Sequence, residues 1–129
     1  MRNLNCEVFN ADIGSGEKLT GAFMLAKYVD NKNPFLGIVL KENGTFDFNG
    51  YGALSVNVGD LPKLKVEKGN FLVCVDSNNF PFALKFLLSN HFARATGFSK
   101  RSGFYSYPIF EIRYDKIKPY VAEDIRDEY

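Results

Sequence analysis

The clearest hydrophobic pattern in the chain is a run of five apolar residues, Phe71–Val75, which ends in a polar tetrapeptide at residues 76–79. Five residues are too few for an isolated helix, and Phe and Val are common in strands. The run therefore predicts a strand that is buried on both faces. The tetrapeptide, Asp-Ser-Asn-Asn, is typical of a turn or a helix cap. Because proline is favoured in a first helical turn, the apolar stretch that contains Pro81 predicts one main helix over about residues 81–92.

Shorter stretches of alternating or apolar residues, separated by turn-forming Gly, Asn and Pro, predict further strands. Before the central run these stretches lie at residues 3–8, 19–28, 35–41, 45–48 and 51–58. Residues 63–67 also alternate and favour either a short strand or a loop. Most of the chain before the helix is therefore predicted to form strands.

The chain after the helix predicts one more strand. Residues 98–103 are typical of an irregular basic loop, and residues 104–114 alternate. Proline cannot donate to a strand ladder, so Pro108 indicates an edge strand or a break. This order of elements predicts an α+β fold, with a mostly antiparallel sheet and one main helix packed on it. We expect a single domain over residues 1–118 and an acidic C-terminal tail or short helix over residues 119–129.

Composition adds an unusual aromatic content, thirteen Phe and seven Tyr without Trp, to an otherwise ordinary apolar fraction of 46%. Rings in such number typically fill a core between strands, and an aromatic contact surface is the alternative. Two distant cysteines, Cys6 and Cys74, favour buried free thiols over a disulfide. We expect a cytoplasmic protein without a membrane span, because no segment resembles a signal peptide or a transmembrane helix.

Charge is unevenly distributed along the chain. Residues 1–60 carry five Lys or Arg and seven Asp or Glu, a net −2. Residues 61–118 carry ten basic and four acidic residues, a net +6, and residues 119–129 carry one and four, a net −3. The middle of the chain is therefore expected to present a basic face, although a solvated surface would also have this composition.

Side chains that carry enzyme chemistry are sparse. The single histidine, His91, lies at a predicted helix end and has no nucleophile motif beside it. One His and two distant Cys do not form a zinc site, and the spacing of the carboxylates gives no support to a magnesium site. We therefore expect no catalytic residues, no cofactor and no metal.

Cations alternate with aromatic residues after the predicted helix. The candidate binding residues are Arg94, Phe98, Lys100, Arg101, Tyr105 and Tyr107. Such a set can bind single-stranded nucleic acid, because phosphates pair with cations and bases stack on rings. Three charges are few for that purpose, and the rings could instead point inward.

Several segments together resemble a small family of unknown function whose members occur in bacterial conjugative elements and phages. The resemblance rests on Leu-Ser-Val-Asn at residues 54–57, Asp-Ser-Asn-Asn-Phe-Pro at 76–81, Thr-Gly at 96–97 and the segment at 102–111. It implies a small accessory protein of a mobile element and brings no catalytic residues with it.

The two most specific segments of this resemblance are expected to form one structural corner. Its predicted members are Asp76, Asn78, Asn79 and Ser102. We expect Asn78 or Asn79 to cap the helix, and the Asp76 carboxylate to accept hydrogen bonds from the backbone or from Ser102.

Together these features favour a non-enzymatic protein that binds a larger partner stoichiometrically, such as a host protein or ribonucleoprotein complex. Antagonism of host defence, in the manner of an anti-CRISPR protein, is one form of this function. The first alternative is a single-stranded nucleic-acid-binding accessory factor that uses the basic aromatic segment at residues 94–107. The second is a small enzyme with an unrecognised carboxylate- or tyrosine-based site.

Overall fold

The computed structural model describes residues 6–12, 18–42, 45–46 and 52–122. The strands, in chain order, are β1 (Phe9–Asp12), β2 (Lys18–Lys27), β3 (Pro34–Glu42), β4 (Thr45–Phe46), β5 (Gly52–Ala53), β6 (Ser55–Val56), β7 (Phe71–Val75), β8 (Ala93–Ser102) and β9 (Tyr105–Ile112). The helices are α1 (Ala83–Ser89), α2 (Tyr114–Ile117) and a 3₁₀ turn (Lys118–Tyr120). The fold is therefore sheet-rich, with short helices.

The strands form two antiparallel sheets. One has the order β1-β2-β3-β4, with β5 also paired to β3, and the other has the order β6-β7-β9-β8. The chain passes from the first sheet to the second at Leu54, which is buried between β5 and β6. The Leu54 N–H donates to the carbonyl of Leu36 in β3, and its carbonyl accepts from the N–H of Asp76. The predicted strand at 51–58 is thus two short strands, one in each sheet.

Strand β7 confirms the prediction that residues 71–75 are buried on both faces. Val73 and Val75 belong to the main core between the two sheets, where α1 also packs. Leu72 and Cys74 point to the opposite face and form a second cluster with Ile109. This second face is covered by residues 57–70, here called the cover segment, which contains no regular secondary structure.

Phenylalanine rings dominate the main core, as the composition predicts. Phe9, Phe23, Phe86 and Phe92 come from β1, β2, α1 and the residue before β8. The ring centroids of Phe9 and Phe23 lie 5.0 Å apart, and those of Phe23 and Phe92 lie 5.2 Å apart with an edge-on geometry. Aromatic pairs favour tilted and edge-on contacts at these distances, so the rings hold both sheets and α1 together.

The helix is shorter than the predicted range 81–92, and its N-cap residue, Phe82, makes no side-chain capping bond. The hydrogen bonds at the C-terminal end of the helix explain part of this difference in length. The N–H of Phe92 donates to the carbonyl of Leu87, and the N–H of His91 donates to that of Leu88. This is a Schellman motif, in which His91 takes the left-handed position with φ of 60°. His91 thus lies at the helix end, as the sequence predicts.

The segment after the helix differs most from the prediction. Residues 98–103 are not an irregular loop, because β8 runs from Ala93 to Ser102 and pairs with β9. Residues 18–27 and 34–42 are strands, as predicted for 19–28 and 35–41. Residues 63–67 belong to the cover segment and form a loop.

Some predictions fall wholly or partly outside the described residues. They are the start of the strand predicted at 3–8, the end of the strand predicted at 45–48 and most of the acidic tail at 119–129. The described residues 6–8 are not in a strand, and the first strand begins instead at Phe9. At the start of the acidic tail, Val121 forms an isolated parallel β-bridge with Phe23, and Ala122 is buried.

Candidate functional site

The predicted binding residues lie along one β-hairpin, formed by β8 and β9. Ser102 pairs with Tyr105, so the connection is a two-residue turn made of Gly103 and Phe104. Gly103 has φ of +62°. Two-residue hairpin turns need a positive φ at their first central position, which glycine adopts without a steric penalty.

A bulge divides β8 into two halves. Ala95 pairs with Phe110, and the next pair joins Ser99 to Pro108, so three residues of β8 oppose one residue of β9. The Thr96 hydroxyl closes the bulge, because it donates to the carbonyl of Ile109 at 2.7 Å and accepts from the N–H of Phe98 at 3.1 Å. The bulge redirects the outer half of the hairpin and turns Phe98 towards solvent.

The outer half of the hairpin extends beyond the rest of its sheet. Within β9, only Ile109–Ile112 pair with β7. The remaining residues of the strand, 105–108, pair with β8 alone. We call residues 98–108 the hairpin arm. Pro108 lies just outside the part of β9 that pairs with β7. A proline is therefore tolerated at this position, although β9 has a neighbouring strand on each side further along.

Three large apolar or aromatic side chains of the hairpin arm are exposed. Phe104 is 97% exposed at the turn, and Phe98 and Tyr105 are 56% and 52% exposed. Tyr107 differs from them, because it packs partly against the Leu72 and Cys74 cluster under the cover segment. Of the three predicted aromatic residues, Phe98 and Tyr105 are therefore solvated, whereas Tyr107 is structural. The exposed Phe104 was not among the predicted binding residues.

The three predicted cations also have different roles. Arg94 Nη2 lies 2.9 Å from Glu67 Oε1, and its Nε lies 3.8 Å from Glu111 Oε1. Lys100 Nζ donates to the carbonyl of Asp60 at 2.8 Å. Arg94 and Lys100 therefore attach the cover segment to the sheet. Among the described residues, the Arg101 side chain makes only a long contact, 3.4 Å, from Nε to the carbonyl of Gly103.

Beneath Arg94 lies a buried carboxylate that the sequence analysis did not single out. Glu111 is 6% exposed, and its Oε2 accepts from the Asn70 side-chain amide at 2.7 Å and from the Glu67 N–H at 3.1 Å. The Asn70 hydrogen bond, that of Glu67 and the charges of Arg94 and Arg113 hold the pKa of Glu111 below its ordinary value, although burial opposes them.

The predicted corner forms only in part. Asp76 is buried, and its carboxylate accepts from the N–H of Asn79 at 3.2 Å and from the Asn79 side-chain amide at 2.9 Å. The backbone half of the hypothesis is therefore confirmed. Ser102 does not join this corner, because it lies at the exposed end of β8 opposite Tyr105. The prediction that Asn78 or Asn79 caps α1 is wrong, because the N-cap residue is Phe82.

Comparison with family models adds one finding to this geometry. The model of DUF4313, a domain of unknown function, matches residues 22–129. The chain belongs to this family. Searches of curated proteins and of solved structures find no match. The match begins within β2 and includes the whole hairpin, so the hairpin arm is part of the DUF4313 domain.

A second polar group of the DUF4313 domain is formed by Ser55 and Asn57, which belong to the segment at residues 54–57 that carries the family resemblance. The buried Ser55 hydroxyl accepts from the N–H of Leu36 at 2.9 Å and lies 3.0 Å from the Tyr28 hydroxyl. Asn57 Oδ1 accepts from the side-chain amides of Asn31 and Asn33. No local pattern predicts these hydrogen bonds, because the partners lie 19 to 27 positions away in the chain.

One cavity among the described residues lies away from the hairpin arm. Its volume is about 480 Å³, and its lining is mostly apolar. It is lined by Leu25, Ala26, Lys27, Pro34, Gly69, Phe71 and Tyr114. None of the predicted binding residues belongs to this set.

Three further predictions concern cysteine, metal and membrane. Cys6 and Cys74 are free thiols in different apolar clusters, and burial raises the pKa of Cys74. Within the described ranges, no three His, Cys, Asp or Glu residues are grouped so that they could hold a metal ion. The helices of the described chain are too short or too polar to cross a bilayer.

Proposed function

We propose that this DUF4313 domain is a non-enzymatic binding protein that occupies a surface of a larger partner protein through its hairpin arm. The supporting observation is Phe104, which is 97% exposed at the end of the arm, with Phe98 and Tyr105 also exposed nearby. Exposed aromatic residues are enriched at protein interfaces, where a few anchors contribute most of the affinity. Burial of one such ring contributes roughly 1.5–3 kcal/mol.

Charge supports a protein partner over a nucleic acid. Nucleic-acid binding depends on several cations that are free to contact phosphates. In the hairpin, Arg94 is paired with Glu67 and Lys100 is bonded to the Asp60 carbonyl, which leaves Arg101 as the most available of the three. One available cation among three exposed rings matches a protein interface with an apolar centre and a charged margin.

The resemblance to proteins of conjugative elements and phages supports a host protein or ribonucleoprotein complex as the partner. A small protein without a catalytic site can inhibit such a complex by covering a functional surface. Antagonism of host defence, in the manner of an anti-CRISPR protein, is therefore included in this proposal, together with an accessory role in a mobile element.

The proposal is tested by capture of partners from a bacterial lysate at high salt, followed by size-exclusion chromatography of the complex. The Phe104→Ser variant is compared with Val29→Ser, because Val29 is 81% exposed outside the hairpin. We expect the parent and Val29→Ser to form the same stoichiometric complex, and Phe104→Ser to lose it. Equal capture by all three proteins would contradict the proposal.

Binding of single-stranded nucleic acid is the alternative, and exposed Phe98 and Tyr105 near Arg101 give it some support. It predicts affinity for single-stranded DNA or RNA that falls steeply with salt and is lost in Arg101→Ala. Such behaviour, without a protein complex at high salt, would favour this alternative.

A further inference from the structure

The outer edge of β8 is an unpaired strand edge. Strand β8 ends the second sheet, and the described chain places no strand beyond it. Unpaired edges present N–H and C=O groups that can pair with another chain, and proteins often limit such pairing with charges and bulges. β8 has both devices, but its bulge ends at Phe98 and leaves Ser99–Ser102 in regular pairing.

The turn determines which backbone groups point outward. In a hairpin with a two-residue turn, the residues that flank the turn are hydrogen-bonded to each other, so Ser102 directs its N–H and C=O to Tyr105. The direction alternates along an antiparallel strand. Lys100 therefore points its backbone groups inward, whereas Arg101 and Ser99 point theirs away from β9.

Pro108 agrees with this assignment. It is the partner of Ser99 and has no N–H to donate. A pair that exchanges no hydrogen bonds is compatible with proline, whereas a hydrogen-bonded pair would lack one of its two bonds. The edge thus offers four backbone groups in the spacing of a strand, two on Ser99 and two on Arg101.

The charge of this edge indicates the chemistry of its partner. The hairpin arm contains two basic residues, Lys100 and Arg101, and no acidic residue. Ser99 and Arg101, whose backbone groups face outward, also have exposed side chains. An incoming strand with acidic side chains would complement this charge, and apolar residues in the same strand could contact Phe98 and Tyr105.

We infer that β8 binds an extended acidic segment of the partner protein as an added strand, paired with Ser99 and Arg101. This inference rests on the proposed function and specifies how the hairpin arm contacts its partner. Strand addition supplies affinity through main-chain hydrogen bonds and selectivity through alternate side chains. A nucleic acid has no matching row of alternating backbone donors and acceptors.

The test uses the full chain and a capped seven-residue peptide that alternates glutamate with valine. Amide hydrogen exchange is followed by NMR with and without the peptide. We expect exchange at Ser99 and Arg101 to slow by roughly tenfold or more on binding, because their N–H groups become bonded. Exchange at Lys100 and Ser102 should change little, because these residues direct their backbone groups to Tyr107 and Tyr105 in the hairpin. The same peptide with N-methylated alternate residues should not protect Ser99 or Arg101.

Two substitutions separate backbone pairing from charge. Arg101→Ala keeps the outward N–H and should weaken peptide binding in a salt-dependent manner. Arg101→Pro removes that N–H without affecting the β9 ladder, so it should abolish the protection while the melting temperature stays close to that of Arg101→Ala.

The outcomes distinguish this inference from the proposed function. If the captured partner binds through Phe104 but Ser99 and Arg101 exchange as fast as before, strand addition is wrong and the proposed function stands. If Phe104→Ser retains the partner, the proposed function is wrong. Absence of peptide binding at millimolar concentration, or equal protection by a single-stranded oligonucleotide, would overturn strand addition.

Discussion

Substitution of the buried carboxylate, Glu111→Gln, tests how the cover segment is held on the sheet. Glu111 Oε2 accepts two hydrogen bonds, from the Asn70 amide at 2.7 Å and from the Glu67 N–H at 3.1 Å. Its Oε1 lies 3.8 Å from Arg94 Nε. Glutamine has the same shape, but it replaces one oxygen by an amide group and removes the charge.

The expected loss follows from these contacts. Hydrogen bonds to a charged group contribute roughly 1.5–3 kcal/mol, and bonds between neutral groups roughly 0.5–1.5 kcal/mol. If the glutamine oxygen keeps both donors, each bond loses its charge assistance, and the new amide faces Arg94. Unfolding should then need about 2 kcal/mol less free energy. For a chain of 129 residues this lowers the melting temperature by roughly 6–10 °C.

The dependence on pH gives a second, independent readout. The native contacts lower the pKa of Glu111, so its carboxylate stabilises the fold fully above the unfolded value, which is about 4.3. This contribution is lost as the pH falls through the lower, native value. Melting curves from pH 7 to pH 3 should therefore show a gap between parent and Glu111→Gln that narrows below about pH 4.

Glu67→Gln provides a matched control. Its carboxylate pairs with Arg94 at 2.9 Å, but both side chains are substantially exposed, at 65% and 44%. Exposed ion pairs contribute roughly 0–1 kcal/mol, and this variant keeps the backbone N–H that bonds to Glu111. If Glu111→Gln costs no more than Glu67→Gln, or if the gap is independent of pH, the buried carboxylate does not hold the cover segment.

Three further substitutions test local geometry through thermal or chemical unfolding. His91→Gly should stabilise the protein by about 1 kcal/mol, because glycine adopts the left-handed C′ position without steric cost, and a destabilised variant would contradict this role. Asp76→Ala should destabilise by about 1–3 kcal/mol, since both Asn79 donors lose their acceptor, and an unchanged melting temperature would show that the corner is dispensable. Gly21→Ala should cost about 3 kcal/mol or more, because its Cβ would collide with the Val39 carbonyl oxygen, and tolerance would show that β3 can shift.

The parts of the fold that sequence predicted well are those in which side chains face a core. Residues 71–75 are apolar at every position because β7 has an apolar cluster on each side, and the pattern records this directly. Strands β2 and β3 were predictable for the same reason, since their central residues are buried. The sequence predicts the helix at the right place but with too many residues. The Schellman motif ends the helix with a histidine in the left-handed position, where glycine would have been the usual signal.

Strand β8 was not predictable from its own residues. Seven of its ten residues are exposed, so the alternation of apolar and polar residues that marks a half-buried strand is absent. Ser, Lys, Arg and Gly in this segment are typical of loops, and its strand conformation depends on pairing with β9. The glycine at position 103 is a local signal for a two-residue hairpin turn. Gly97 in the bulge is a second turn-forming residue in the same segment, so the position of the turn is ambiguous in the sequence.

In the candidate site, the availability of the cations likewise could not be predicted from local sequence. A sequence gives the number and spacing of cations, but whether a cation is available depends on residues distant in the chain, such as Glu67 for Arg94 and Asp60 for Lys100. A variant that removes all three cations would therefore loosen the cover segment as well as reduce the basic charge. Lost binding in that variant could not be assigned to the surface. Arg101 alone separates the two effects, because its side chain makes no bond to the cover segment.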